Sequence, residues 1–221
     1  MRAILIGASG LTGSILLQQL LKDPVFSSVK IITRRSLGIQ HAKLEEAVID
    51  FTDEAAFRRA VVQTDTLFCC VGTTQKKVKG DQAAYRKIDF DIPVRAARYS
   101  AEQNVSSYLL VSAVGANAAS SNFYLRLKGE TEAAVLSQSI SMVYILRPSV
   151  LLGKRIEARP AEAIGKAVMQ FFSFFLVGSI SKYKAIEAEK LAGAMVAASK
   201  KTTVGKFICE YKEMMELLDG N

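Results

Sequence analysis

Three glycines, Gly7, Gly10 and Gly13, separate a short aliphatic run from a leucine-rich one in the stretch RAILIGASGLTGSILLQQLL, Arg2 to Leu21. Ala3 to Ile6 has the length and make-up of a buried strand, and Leu11 to Leu21 repeats its leucines at helical spacing. The glycines therefore stand where a strand hands over to a helix. At such a junction the first free N–H groups and the positive end of the helix dipole face the loop, and residues without side chains let an anion come close. A phosphate is the natural occupant. The GxxGxxG spacing differs from the GxGxxG of many dinucleotide loops, yet its place between strand and helix points the same way. A P-loop requires Gly-Lys-Ser/Thr, whereas Gly13 is followed by Ser14 and Ile15. Walker-type nucleotide binding is disfavoured.

Downstream, strands are expected at Val29–Arg34, Glu46–Phe51, Asp65–Gly72, Ser107–Gly115 and Ser141–Pro148. Helical patterns fall between them at Asp53–Val62, at Gln82–Asn104 with a kink at Pro93, and at Asn122–Gln138. Alternation of this kind predicts an α/β fold with a doubly wound parallel sheet, the Rossmann arrangement. The chain's 221 residues, 50% hydrophobic and 23% charged, suit one such domain over 1–221. Within it, residues 149–203 read as a small substrate-side elaboration, with helices at Ala161–Phe172 and Glu187–Lys200. A last strand, KFICEY, follows.

Composition removes several classes of function. One histidine, His41, in a polar segment rules out a histidine-based zinc site and disfavours a Ser-His-Asp or Cys-His machine. No metal is expected. Cys69, Cys70 and Cys209 show no CxxC spacing and read as buried, reduced thiols. The net charge of +8 comes from scattered residues without interleaved aromatics, so nucleic acid is not expected as a partner. Clusters such as Lys76-Lys77-Lys79 read as solvated loop charges, with recruitment of phosphates as the sharper alternative. Val168–Ile180 is the longest apolar run and is too short to span a bilayer. Its Phe171, Phe172, Phe174 and Phe175 read equally as core or as an apolar pocket or oligomer contact. The chain starts on a core strand with no leader pattern, which predicts a cytoplasmic protein; its oligomeric state stays open, a homodimer included.

In a doubly wound sheet the ligand lies along the carboxyl ends of the strands. The second strand ends in Arg34-Arg35, about 20 residues past the glycine turn, where an acidic residue would hold the ribose hydroxyls of NAD and arginine pairs with the 2′-phosphate of NADP. NADP(H) is the expected cofactor. Asp50-Phe51 suits an adenine edge, and Gly72 and Thr73 allow a ribose to pass close to backbone. After the fifth strand stands Ser112, and the next helix carries Tyr124 and Lys128, the chain's one YxxxK. Four residues apart on one helical face, the ammonium is expected to support the phenol in passing a proton to and from a substrate oxygen.

With these residues the chain resembles the short-chain dehydrogenase/reductase superfamily. GASGLTG, FCCVGTT, SSNFYLRLKGETEA and LRPSVLLG look most like the atypical members grouped with the oxidoreductase-like Tat-interacting protein, over nearly the whole chain and most weakly after about Arg155. The resemblance implies an NADP(H)-binding fold with Tyr124 as acid/base, Lys128 on the nicotinamide ribose and Ser112 orienting a carbonyl. Its motifs add Ser9, Leu11, Thr12, Thr74, Arg147 and Pro148 to the cofactor contacts. The implied activity is reduction of a carbonyl, or oxidation of an alcohol, of a small molecule. Two alternatives stand beside it: a non-catalytic NADP(H)-responsive regulator that binds a partner, and a sugar-nucleotide epimerase, which would need a large C-terminal domain that this chain lacks.

Overall fold

The computed structural model describes residues 1–153 and 182–220. The expected helix Ala161–Phe172, the phenylalanine cluster and the pair Lys154-Arg155 lie outside the described residues. Strands β1 (Arg2–Ile6), β2 (Ser28–Thr33), β3 (Leu44–Val48), β4 (Thr66–Cys69), β5 (Ser107–Val111), β6 (Met142–Leu146) and β9 (Gly205–Cys209) form one sheet in the order β3-β2-β1-β4-β5-β6-β9. Every pairing in it is parallel. Two-residue strands β7 (Leu151–Leu152) and β8 (Ile186–Glu187) pair separately.

Both faces of this sheet are covered, so its central strands carry apolar side chains at nearly every position. Ala3, Leu5, Phe68, Leu109 and Tyr144 face one layer, where Leu16, Leu17 and Leu20 of α1 (Leu11–Lys22) meet Leu191, Ala192 and Met195 of α6 (Ala188–Ser199). Ile4, Ile6, Leu67, Leu110, Val143 and Ile145 face the other, against Phe57 of α2 (Glu54–Ala60), Ala96, Ala97 and Tyr99 of α4 (Ile92–Glu102) and Val135 of α5 (Phe123–Leu136). Odd and even positions of each strand part to opposite layers, as the pleat requires. α6, expected in the substrate-side elaboration, thus belongs to the main core. A helix the sequence reading lacked, α7 (Tyr211–Asp219), follows β9; Glu210 and Glu213 cap it reciprocally, so the expected strand KFICEY ends at Cys209.

Two other departures bear on the site. β3 ends at Val48, so Asp50 and Phe51 stand in the loop beyond it instead of closing the strand. The long helix expected over Gln82–Asn104 is α3 (Gln82–Arg86), a π-helical turn over Lys87–Asp91, and α4. Pro93 has no N–H for the carbonyl of Asp89, four residues back. The Thr131 hydroxyl of α5 lies 3.2 Å from that carbonyl and 2.8 Å from the carbonyl of Leu127. The widened turn is where α5 meets the helix, and it carries the Asp89 side chain inward.

Candidate active site

Strand order reverses between β1 and β4, and the loops leaving their carboxyl ends part there to leave a crevice. A cleft of about 1000 Å³ occupies it. Gly7, Ser9 and Gly10 form one wall, Arg34 and Arg35 after β2 and Asp50 and Phe51 after β3 another, and Gly72 and Thr73 after β4 the third.

The glycines divide by what demands them. Gly7 holds φ +93°, and a Cβ there would come within 2.6 Å of the Cys70 carbonyl carbon; a Cβ on Gly13 would sit 2.1 Å from the Gly7 oxygen. Both are required by the protein's own packing. A Cβ on Gly10 would meet only the Gly7 oxygen, at 3.4 Å, and Gly10 faces the cleft. It precedes α1 without a side-chain cap, and the helix has no acidic residue in its first turn. Free N–H donors at a bare, uncapped helix start fit a phosphate.

Arg34 and Arg35 are exposed on the cleft rim. Their loop is tied down: the Thr33 hydroxyl donates to the Arg35 carbonyl at 2.8 Å, and Glu46 accepts from the Ser36 hydroxyl at 2.5 Å and the Leu37 N–H at 2.7 Å. The Asp50 carboxylate accepts from the Thr52 N–H at 2.8 Å, which holds its pKa below the usual value. Phe51 is buried edge-on against Phe57, with centroids 4.9 Å apart.

Beside the cleft, α5 presents Tyr124, Lys128 and Glu132 at successive intervals of four, hence on one face. Asn122 caps the helix through the Leu125 N–H. The close approach of Gly129 to the backbone of Asn117 and Ala118, where a Cβ would lie 2.2 Å from the Ala118 nitrogen, seats the helix on the loop after β5. Lys128 is 6% exposed, and its Nζ pairs with Asp89 Oδ1 at 2.9 Å. Burial pulls the lysine's pKa down, but the Asp89 charge, with Tyr124 beside it, more than offsets this and leaves the pKa raised. The other Asp89 oxygen accepts from the Thr73 N–H at 2.8 Å, so one carboxylate ties α5 to the cleft wall. Lys128 Nζ lies 5.9 Å from the Tyr124 ring centroid, and Tyr124 is 37% exposed. Tyr85, edge-on to Tyr124 at 6.5 Å, donates to the Thr73 carbonyl at 3.1 Å.

Ser112 donates its hydroxyl proton to Glu132 Oε1. Arg147 grips the same carboxylate with Nε at 3.0 Å and 3.2 Å and Nη2 at 2.5 Å. The hydrogen bonds to Glu132 raise the Arg147 pKa.

Of the expected cofactor contacts, Gly7, Ser9, Gly10, Arg34, Arg35, Asp50, Phe51, Gly72 and Thr73 line the cleft. Thr12 and Gly13 are buried in the first turn of α1, which Leu11 opens; Thr74 accepts from the Lys77 N–H at 2.9 Å, and the Pro148 carbonyl from the Val114 N–H at 3.0 Å. Arg147, also among the expected contacts, is paired with Glu132. Asp89 and Glu132 were missed; the interval of four from Asp89 to Pro93 and from Lys128 to Glu132 was the available signal. Among the described residues, no group of three or more His, Cys, Asp or Glu is placed to hold a metal ion, and no helix is long and apolar enough to cross a membrane.

Residues 7–168 match the model of the NAD(P)H-binding family. The chain belongs to this family. The chain is 34% identical over 165 residues to Protein HTATIP2 of Rattus norvegicus, spanning 73% of this chain and 67% of that one. Within the family it is thus an atypical short-chain dehydrogenase/reductase of the HTATIP2 kind. To the mitochondrial protein fmp52 of Aspergillus clavatus it is 33% identical over 207 residues, 91% of this chain and 88% of the relative. The name of that relative gives no support to a cytoplasmic location. Among solved structures, Bordetella bronchiseptica WbmG in complex with NAD superposes with a TM-score of 0.71 at 15% identity, covering 99% of this chain and 76% of that one. The UDP-glucose 4-epimerase of Thermotoga maritima with UDP-glucose gives 0.70 at 14%, covering 100% and 82%. At such identities the likeness concerns the fold, a NAD(P)-binding Rossmann arrangement of the epimerase and dehydrogenase type.

Proposed function

We propose that this NAD(P)H-binding protein is an NADP(H)-dependent oxidoreductase that reduces a carbonyl, or oxidises an alcohol, of a small molecule. The Lys128–Asp89–Thr73 connection carries the reading. It delivers a buried, charged ammonium to the side of Tyr124 and anchors both to the wall of the nucleotide cleft. The bare start of α1 and Gly10 suit the pyrophosphate, and Arg34 and Arg35 suit a 2′-phosphate at the far rim.

When bound, NADPH supplies the hydride. Tyr124 O–H would give its proton to the substrate oxygen in the reducing direction, and the phenolate would take one back in the reverse. Lys128 stabilises the phenolate left behind. Ser112 contacts the same oxygen.

Titration with NADPH and NADH, followed by cofactor fluorescence, tests this in wild type and in an Arg34→Ala/Arg35→Ala double variant. Tighter NADPH binding that the double variant loses is the expected result. Equal affinity for the two cofactors in wild type defeats the NADP(H) assignment. NADPH-dependent binding of a protein partner, without turnover across a carbonyl panel, would favour the regulatory alternative.

A further inference from the structure

The α5 stripe continues one turn beyond the pair used above. Glu132 is 3% exposed, and no step of the proposed chemistry employs it. An ionised carboxylate offers only lone pairs, so the hydrogen in its bond to Ser112 belongs to the serine. The Arg147 fork donates to both oxygens of the same carboxylate at 2.5 to 3.2 Å. A hydroxyl gains more by donating to a charged carboxylate than to a neutral carbonyl oxygen. With its single hydrogen committed, Ser112 Oγ can turn only lone pairs toward a ligand.

We propose that Glu132, held by Arg147, is a positioning residue that makes Ser112 a hydrogen-bond acceptor toward the reacting oxygen, so that the resting site selects alcohols over the corresponding carbonyls. The proposal rests on the assignment of Ser112 and Tyr124 to the reacting oxygen. With Tyr124 protonated, an alcohol oxygen accepts from the phenol and donates to Ser112, and every group is satisfied. A ketone oxygen accepts from the phenol but meets a lone pair on Ser112. In a Glu132→Gln variant the amide oxygen stays on the Arg147 fork, while the amide N–H turns to Ser112. Serine's hydrogen is then released for a carbonyl.

The test uses the full chain loaded with tetrahydro-NADP, which cannot exchange hydride, and compares the dissociation constants of cyclohexanol and cyclohexanone. Wild type is expected to bind the alcohol roughly tenfold more tightly, Ser112→Ala to bind the two alike, and Glu132→Gln to lose or invert the preference. A Glu132 that only braces the fold would lower Tm and weaken both ligands equally, leaving the ratio unchanged. Wild type without an alcohol preference, including failure of either ligand to bind, overturns the proposal, as does a preference that survives in Ser112→Ala. The serine variant decides the matter if Glu132→Gln does not fold. If tetrahydro-NADP binds and the preference is absent, only the polarity of Ser112 is refuted; if tetrahydro-NADP does not bind, the NADP(H) reading falls with it.

Discussion

Lys128 on α5 and Asp89 on the π-helical turn form an ion pair of 2.9 Å in which both side chains are buried. Removing one partner leaves the other charge in the interior without compensation. Asp89→Ala is expected to destabilise the fold by about 3–5 kcal/mol, read as a fall in the denaturant midpoint. The raised Lys128 pKa gives the pair a pH signature. Its contribution is complete below the pKa of an unfolded lysine, about 10.4, and is lost as pH climbs through the higher folded value. A wild-type stability curve that falls more steeply than that of Asp89→Ala above this range is the expected observation.

The glycine loop separates folding from binding. Gly13→Ala drives a methyl into the Gly7 carbonyl and should destabilise by about 1–3 kcal/mol or more, visible in thermal melting. Gly10→Ala finds only an ordinary contact at 3.4 Å and should leave Tm nearly unchanged. It narrows the approach to the α1 N–H groups, and NADPH affinity should fall roughly tenfold, by loss of about one charge-assisted hydrogen bond. Unaltered affinity in the folded Gly10→Ala protein would remove the loop from the cofactor site.

Tyr124→Phe keeps the ring that meets Tyr85 and removes only the hydroxyl. Turnover of any carbonyl substrate found by screening should fall by about 10²-fold or more, while NADPH binding stays close to wild type. Retained turnover would shift the proton donor elsewhere.

The thiols should be quiet. Burial pushes Cys209 up to about 12 and raises both Cys69 and Cys70, so few thiolates exist near neutrality. At pH 8, iodoacetamide should modify the folded protein slowly at all three positions and the urea-unfolded chain quickly. Rapid labelling of Cys70, which lines the cleft, would mean that the cleft opens in solution.

The central strands were legible because each carries its own apolar run, whereas β3, Leu-Glu-Glu-Ala-Val, does not; the glycine loop was legible because Gly7, Gly10 and Gly13 sit between two strong periodic patterns. Asp89 and Glu132 were not. In one sequence a carboxylate on a helix reads as solvated, and only the packing of α5 against the widened turn, and of β6 behind it, turns these two inward. The pairing of Arg147 with Glu132 was hidden for the same reason: the two lie on different elements, and spacing along the chain cannot reveal it. α7 was lost where Glu210 and Tyr211 were counted as the end of β9, although the Glu210–Glu213 interval is that of a reciprocal cap.

The crevice at the strand-order reversal divides the sheet into β3-β2-β1 and β4-β5-β6-β9, and its walls come from both halves. A nucleotide lying across it acts as a staple between two blocks otherwise joined there by the β1–β4 ladder. Ligand occupancy would therefore appear as resistance of the whole molecule to unfolding, about 2.7 kcal/mol at a ligand concentration one hundred times Kd. Melting curves can thus rank nicotinamide cofactors before any substrate is known.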